Sequence, residues 1–208
     1  MKIVLVRHGE TEWNVSEIFR GRIDVDLNET GLKQAELLGE YLSERDIEAI
    51  YSGPLKRALK TAQAIARHHQ LDVQISPGLI DMNLGEWEGL ERRLVAEKYK
   101  ESYDLWMTRP EKVKIPGGES LADVKERAAV LIDEVTTRYS GTVVLVSHRV
   151  PCKVLICALL GLDDSHFWNI EQGNCGITTF NYRNGQFILT EHNNTSFLEP
   201  IRKKLNDF

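Results

Sequence analysis

Two histidines follow two runs of apolar residues. Ile3-Val4-Leu5-Val6 leads into Arg7-His8-Gly9, and Val143-Val144-Leu145-Val146 leads through Ser147 into His148. Continuous apolar runs of this kind suit strands buried on both faces of a parallel sheet. A charged or titratable residue after such a run sits at the strand's carboxyl end, where open α/β sheets bind ligands. Each imidazole is then a candidate nucleophile or base, and Arg7 a candidate partner for an oxyanion. Gly9 is expected to allow a sharp turn after His8. Either histidine alone is equally well explained as an unrelated structural residue. The pair, on two strands of the same design, points to one sheet mouth.

Arg57 adds a further charge. It stands in Ser52-Gly53-Pro54-Leu55-Lys56-Arg57-Ala58, near the start of a predicted helix. Helix N-termini favour anions through their free N–H groups and dipole, and a guanidinium there adds bidentate charge for phosphate. Alone, Arg57 reads as a surface residue. The chain has no GxxxxGK[ST] loop and no GxGxxG turn after a strand. His68-His69 closes a helix without metal-ligand spacing and suits a C-terminal dipole contact. His166 and His192 fall in no interpretable pattern.

The elements that must position these groups alternate between strand and helix. Asn28 reads as the N-cap of a helix whose apolar face carries Leu32, Ala35, Leu38, Gly39 and Leu42. A strand at 47–51 ends at Ser52-Gly53-Pro54, and Pro54 suits the first turn of a helix reaching about His69. Val73 and Ile75 mark another strand. Residues 79–89 read as a loop with Asp81, Glu86 and Glu88 around Trp87. Residues 90–108 read as helical by pattern, 109–118 as a loop, and Ser120 opens a helix ending near Ser140-Gly141. A helix over 150–160 stops at Gly161, and Asn184-Gly185 joins a terminal hairpin. Arg202-Lys203-Lys204 reads as a solvated tail. The alternation predicts an α/β fold, a three-layer αβα sandwich with a mostly parallel central sheet. One domain over 1–208 is expected, with a helical lid insertion at about 90–118.

The 208 residues suffice for a sizeable core, with 42% apolar and 27% charged residues. A net charge of -5 gives no nucleic-acid footprint, so an anionic ligand needs a local basic pocket. Cys152, Cys157 and Cys175 are too few and scattered for a disulfide framework or zinc site, and read as core thiols in a reducing compartment. The chain starts directly with strand-like sequence, without a signal-peptide pattern. No apolar run approaches the ~18 residues of a membrane span. The expectation is a cytoplasmic protein without nucleic-acid or membrane partners. A homodimer is the commonest oligomer but is not specified by these features.

Arg7-His8-Gly9-Glu10-Thr11, with Asn14 after it, resembles the signature of the histidine phosphatase superfamily, in its phosphoglycerate-mutase-like branch. Further stretches carry the resemblance across most of the chain: 19–31, 52–62, the acidic loop ending in Gly85-Glu86-Trp87-Glu88-Gly89, the Pro116-Gly117-Gly118-Glu119-Ser120 segment, and Ser147-His148. The resemblance implies that His8 attacks a phosphoryl group and becomes phosphohistidine, which water then hydrolyses. It implies that a backbone carbonyl holds the other ring nitrogen as N–H. Arg7, Arg57 and His148 then surround the equatorial oxygens, with Asn14 as a neutral donor and Gly21 in the substrate-binding loop. No metal or other cofactor is implied.

Two departures from the family pattern stand out. Asp81 occupies the position of the usual glutamate acid and is read as the proton donor to the leaving alkoxide, with Glu86 and Glu88 as lesser candidates. Arg149 replaces the usual glycine after the second histidine. Its backbone amide is expected to contact substrate, while its side chain is left open. The implied activity is hydrolysis of a small phosphomonoester. A phosphoglycerate-type mutase and a noncatalytic phospho-ligand module are the alternatives. Arg92, Arg93, Tyr99, Tyr103, Trp106, Arg109 and Lys112, in the segment over the pocket, either select the leaving group or pack the segment on itself. Trp106-Met107 reads first as helix packing. Related phosphatases act on phosphosugars, phosphoglycerate-like acids, phosphoserine or α-ribazole phosphate.

Overall fold

The computed structural model describes residues 1–201; the Arg202-Lys203-Lys204 tail lies outside the described residues. The strands are β1 (Lys2–Arg7), β2 (Ala49–Ser52), β3 (Val73–Ile75), β4 (Thr142–Ser147), β5 (Ile177–Arg183) and β6 (Gln186–Asn194). The helices are α1 (Glu12–Val15), α2 (Glu29–Leu42), α3 (Lys56–Ala66), α4 (Arg92–Lys98), α5 (Lys100–Thr108), α6 (Leu121–Arg138) and α7 (Arg149–Leu159). The strands form one sheet ordered β3-β2-β4-β1-β5-β6. β3, β2, β4 and β1 run parallel, and the β5–β6 hairpin is antiparallel beside β1.

Side-chain alternation explains why the strands are apolar throughout. Ile3 and Leu5, with Val143 and Leu145, pack against α6 and α7. Val4 and Val6, with Val144 and Val146, face the opposite layer of α2 and α3. Both faces are therefore dry, and full burial of each such side chain contributes about 1.5–3 kcal/mol. This is the expected αβα sandwich. Cys152, Cys157 and Cys175 are free thiols buried in it. Among the described residues, no helix is long and apolar enough to cross a membrane.

Several local expectations shift. The Asn28 side chain caps α2 by accepting from the Gly31 amide at 2.8 Å. Leu32, however, is 45% exposed. The buried stripe runs through Gly31, Gln34, Ala35, Leu38, Gly39 and Leu42, and Leu32 is turned about 100° away from Gly31. Pro54 precedes the N-cap Leu55 rather than entering α3, which ends at Ala66 rather than at His69. The His69 ring keeps Nε2 buried without a partner, and burial lowers its pKa. The 90–108 stretch divides into α4 and α5 at Tyr99. Ser120 and Asp123 form a reciprocal capping box on α6.

A third apolar cluster stands beyond the sheet's carboxyl edge. Trp87, Val95, Trp106, Val113, Ile115 and Phe167 are buried in it. Trp106 meets Trp87 and Trp168 edge-on, with centroids 6.3 and 5.7 Å away. The segment carrying α4 and α5 thus has its own aromatic anchor against the 79–89 loop and the residues after α7.

Candidate active site

β1 and β4 are neighbours with Arg7 opposite Ser147. The His8 amide donates to the Ser147 carbonyl at 2.9 Å, extending the pairing by one residue. The two expected histidines therefore meet, with ring centroids 5.1 Å apart and planes inclined at 58°. Both rings are fully buried.

Gly9 has a different role from the expected sharp turn, because its φ is not in the left-handed region. A Cβ on Gly9 would lie 2.6 Å from the Gly31 carbonyl oxygen, and one on Gly31 would lie 2.0 Å from that of Glu10. The two glycines let the start of α2 dock on the loop after β1. Asn28 and Gln34 tie that contact by hydrogen bonds to Glu10.

The neighbours fix the tautomers. A carbonyl only accepts, so His8 Nδ1, 2.6 Å from the Gly9 oxygen, carries the proton. His8 Nε2 is left with a lone pair and no partner. A guanidinium only donates, so His148 Nδ1 accepts from Arg57 Nε at 3.1 Å. The neutral His148 ring then carries its proton on Nε2, which is also buried without a partner. Burial, followed by the neighbouring His148 ring and the charges of Arg57 and Arg7, holds the His8 pKa well below its ordinary value. Burial and then Arg57 do the same for His148. His8 therefore presents a neutral ring with a free Nε2 lone pair, and His148 a neutral ring with a free Nε2–H.

Arg57 is heavily committed to the protein. Besides His148 it donates to the carbonyls of Ile23 and Gly21 at 2.9 and 2.8 Å, and to Asp81 Oδ2 at 3.1 Å. Of the five N–H donors of a guanidinium, these four contacts leave one. It ties His148 and Asp81 together and keeps one N–H uncommitted. Asp81 is 7% exposed, accepts from the Met82 amide through Oδ1, and has Oδ2 3.7 Å from His148 Nδ1. Glu86 accepts from the Tyr99 hydroxyl, and Glu88 from the amides of Arg22 and Leu84. Both lesser candidates for the acid are thus engaged outside the cavity lining.

Gly21 has φ +48°, and a Cβ there would lie 2.1 Å from Glu88 Oε1. Its carbonyl anchors Arg57, while the residue itself lines the cavity. Arg7 donates to the Gln172 carbonyl at 2.8 Å and keeps Nε buried and unpartnered. Burial, with Arg20 and Arg149 nearby, lowers its pKa to about 9. Asn14 lines the cavity and uses its Oδ1 to accept from Thr11. Its amide N–H groups have no such commitment in that cap. The sequence reading missed Arg20, whose Nε is likewise buried without a partner and whose pKa burial lowers to about 10. Arg20 lies in an irregular loop after Phe19, so no periodic pattern marks it. Asn174 was also missed; it lines the cavity and donates to the His8 carbonyl at 3.1 Å.

The cavity above these groups measures about 440 Å³. Asp81, Asn14, Arg7, Arg20 and Gly21 lie along it, with Arg149, Tyr103, Trp106, Met107, Phe167 and Trp168 on the outer wall. From the segment over the pocket, Arg92, Tyr103 and Trp106 line it. Arg92 Nε donates to the Tyr103 hydroxyl at 2.7 Å. Arg93 pairs with Glu97 along its own helix at the surface. The guanidinium of Arg149 lies 5.5 Å over the Trp168 ring. A buried lone pair, a buried N–H and three nearby arginines, with one carboxylate among them, suit in-line attack on a phosphoryl group.

The histidine phosphatase superfamily (branch 1) model matches residues 3–195. Phosphoserine phosphatase 1 of Hydrogenobacter thermophilus is 40% identical over 199 residues, covering 95% of this chain and 94% of that protein. A phosphoserine phosphatase from Entamoeba histolytica, solved with 3-phosphoglyceric acid, is similar with a TM-score of 0.83 and 34% identity, over 95% of this chain and 98% of that one. A mycobacterial glucosyl-3-phosphoglycerate phosphatase gives a TM-score of 0.88 and 28% identity, over 93% and 99% respectively.

Proposed function

The chain belongs to the histidine phosphatase superfamily (branch 1), and on that premise we propose that His8 is the nucleophile of a hydrolase acting on small carboxylated phosphomonoesters. The protein is a phosphatase of small phosphorylated metabolites. Phosphoserine and 3-phosphoglycerate are the proposed substrate types. The names of the similar proteins and the arginine-rich cavity support this choice.

The carrying observation is the His8 ring, with Nδ1 held by the Gly9 carbonyl and Nε2 free. In the first step, the Nε2 lone pair attacks phosphorus while the ester P–O bond breaks. Asp81 passes a proton to the leaving alkoxide. In the second step, Asp81 takes a proton from water as the water oxygen attacks phosphorus. The P–N bond breaks, freeing inorganic phosphate and neutral His8. Arg7, Arg20, Asn14 and the His148 Nε2–H hold the phosphoryl oxygens. Fixed donors stabilise the charge of the transferring group without having to reorganise. Splitting the reaction in two makes each displacement easier.

Residence in a reducing compartment such as the cytoplasm belongs to the same proposal, supported by three free buried thiols. The test is release of inorganic phosphate from phosphoserine and 3-phosphoglycerate by the purified protein. Net hydrolysis supports the reading. Interconversion of phosphoglycerates with little phosphate release would identify a mutase. Binding without turnover would identify a noncatalytic module.

A further inference from the structure

The mechanism leaves one buried cation unused. Lys153 lies one turn beyond Arg149 on α7 and is only 2% exposed. Among the described residues, its ammonium has no hydrogen-bond or ion-pair partner. It rests on the Phe167 and Trp168 rings, 4.4 Å from each centroid. The same Trp168 ring lies under Arg149. A buried ammonium without an anion is unfavourable, and aromatic faces compensate only in part. Burial, and then the charge of Arg149, brings the Lys153 pKa down to about 7.

Lys153 lines a second cavity of about 490 Å³, together with Arg7, Arg149, Glu171 and Gln172. Three cationic side chains there face one carboxylate. Arg7, Arg149 and Trp168 also line the catalytic cavity, so the two share a wall. We propose that this second cavity is an oxyanion subsite, in which Lys153 and Arg149 receive the carboxylate of a substrate whose phosphoryl group lies at His8. Arg7, Arg149 and Trp168 border both cavities, so the proposed ligand is a small molecule carrying two anionic groups. This inference rests on the phosphatase reading and specifies which side chains recognise the rest of the substrate.

Two phosphomonoesters isolate the carboxylate. 3-Phosphoglycerate carries a carboxylate where glycerol 3-phosphate carries a hydroxymethyl group. The readout is the ratio of their kcat/KM values, in which effects on the shared phosphoryl chemistry cancel. In Lys153→Met, which keeps the length and apolar stem, the ratio should fall by about tenfold or more, mainly through KM for 3-phosphoglycerate. Lys153→Arg should recover part of it. An unchanged ratio in a folded Lys153→Met protein that still hydrolyses glycerol 3-phosphate overturns the subsite and leaves the phosphatase reading standing. If wild-type protein hydrolyses neither ester nor phosphoserine, the phosphatase reading itself fails. Sulfate inhibition that is noncompetitive with glycerol 3-phosphate and relieved in Lys153→Met, with the ratio unchanged, would assign the cavity to a free anion and overturn a substrate-borne one.

A wild-type measurement covers the case of a misfolded variant. The charged neighbours of Lys153 are Arg149 on its own helix, Arg7 from β1 and Glu171; Cys157 is the nearby thiol, pushed up to about 11. A lysine is cationic below its pKa, so the ratio should be high below pH 7 and fall as pH rises through about 7. A ratio flat from pH 6 to 8, around that value of about 7, would count against the subsite.

Discussion

His8 and His148 face each other across 5.1 Å with their protons on opposite ring nitrogens. The Gly9 carbonyl takes the Nδ1 proton of His8, and Arg57 Nε occupies Nδ1 of His148. One ring offers a lone pair and the other an N–H to the same space. A phosphoryl group satisfies both at once, through phosphorus and through one oxygen. This polarity is set by a backbone carbonyl and a guanidinium, neither of which changes its donor or acceptor role with pH in the working range.

The proposed nucleophile role of His8 predicts that removing its lone pair removes the reaction. His8→Ala should lower phosphate release by at least about a thousandfold. Rapid quenching of the wild type with 32P-labelled substrate should trap an acid-labile, alkali-stable phosphohistidine that the variant lacks. Sustained turnover in His8→Ala would transfer the nucleophile role elsewhere.

The proposed acid role of Asp81 makes its importance depend on the leaving group. Asp81→Asn should slow hydrolysis of glycerol 3-phosphate by about 10²–10⁴-fold. On p-nitrophenyl phosphate, whose leaving group needs no proton, the loss should be much smaller. Equal losses on both would leave Asp81 as a structural partner of Arg57 only.

Arg57→Met deletes four hydrogen bonds and strands the Asp81 carboxylate, whose side chain is 10% exposed. Breaking one side of a buried pair costs about 3–5 kcal/mol, measurable by urea unfolding. The kcat should also fall, because His148 loses the bond that fixes its tautomer. Wild-type stability in this variant would show that the pair contributes nothing net.

The lowered histidine pKa values set a pH response. Both rings stay neutral in the free enzyme as pH falls past the ordinary value of 6.5. Their Hε1 NMR resonances should therefore hold neutral-ring positions where free imidazole titrates. A midpoint between pH 6 and 7 for either ring, close to the ordinary 6.5, would contradict this. In the unfolded chain the same groups bind protons at about 6.5. Stability is therefore complete above that pH and declines as pH falls toward the folded-state values.

Gly31→Ala tests the docking of α2 on the catalytic loop. The added Cβ would fall 2.0 Å from the Glu10 carbonyl oxygen, so backbone must shift. Overpacking of this kind costs about 1–3 kcal/mol, and the shift should reach His8 and depress kcat. A variant with wild-type kcat and melting temperature would show that the loop moves freely.

Local sequence went far here. Residues 3–6 and 143–146 are apolar at every position, and only strands with two dry faces need that. Their ends therefore fixed where Arg7, His8 and His148 stand. The caps at Asn28 and Ser120, and the Asn184-Gly185 turn, both of whose residues have positive φ, are likewise decided within a few residues. Leu32 escaped because a one-residue phase error in a helix rotates a side chain by about 100°.

The charge of the pocket was not legible in this way. Arg20 and Lys153 resemble ordinary surface residues until the 79–89 loop, α5 and the residues after α7 enclose them. Arg57 was found, but its load was not, since its four acceptors come from three separate stretches of chain. The sequence by itself determined the strands and the histidines at their ends, because an unbroken apolar run marks a strand buried on both faces. Only the tertiary structure decided which nitrogen holds each proton and which cations lack a partner. The His8 proton is held by the adjacent Gly9 carbonyl, but the His148 tautomer depends on Arg57, 91 positions away, and the enclosure of Lys153 on residues after α7, contacts that leave no local pattern.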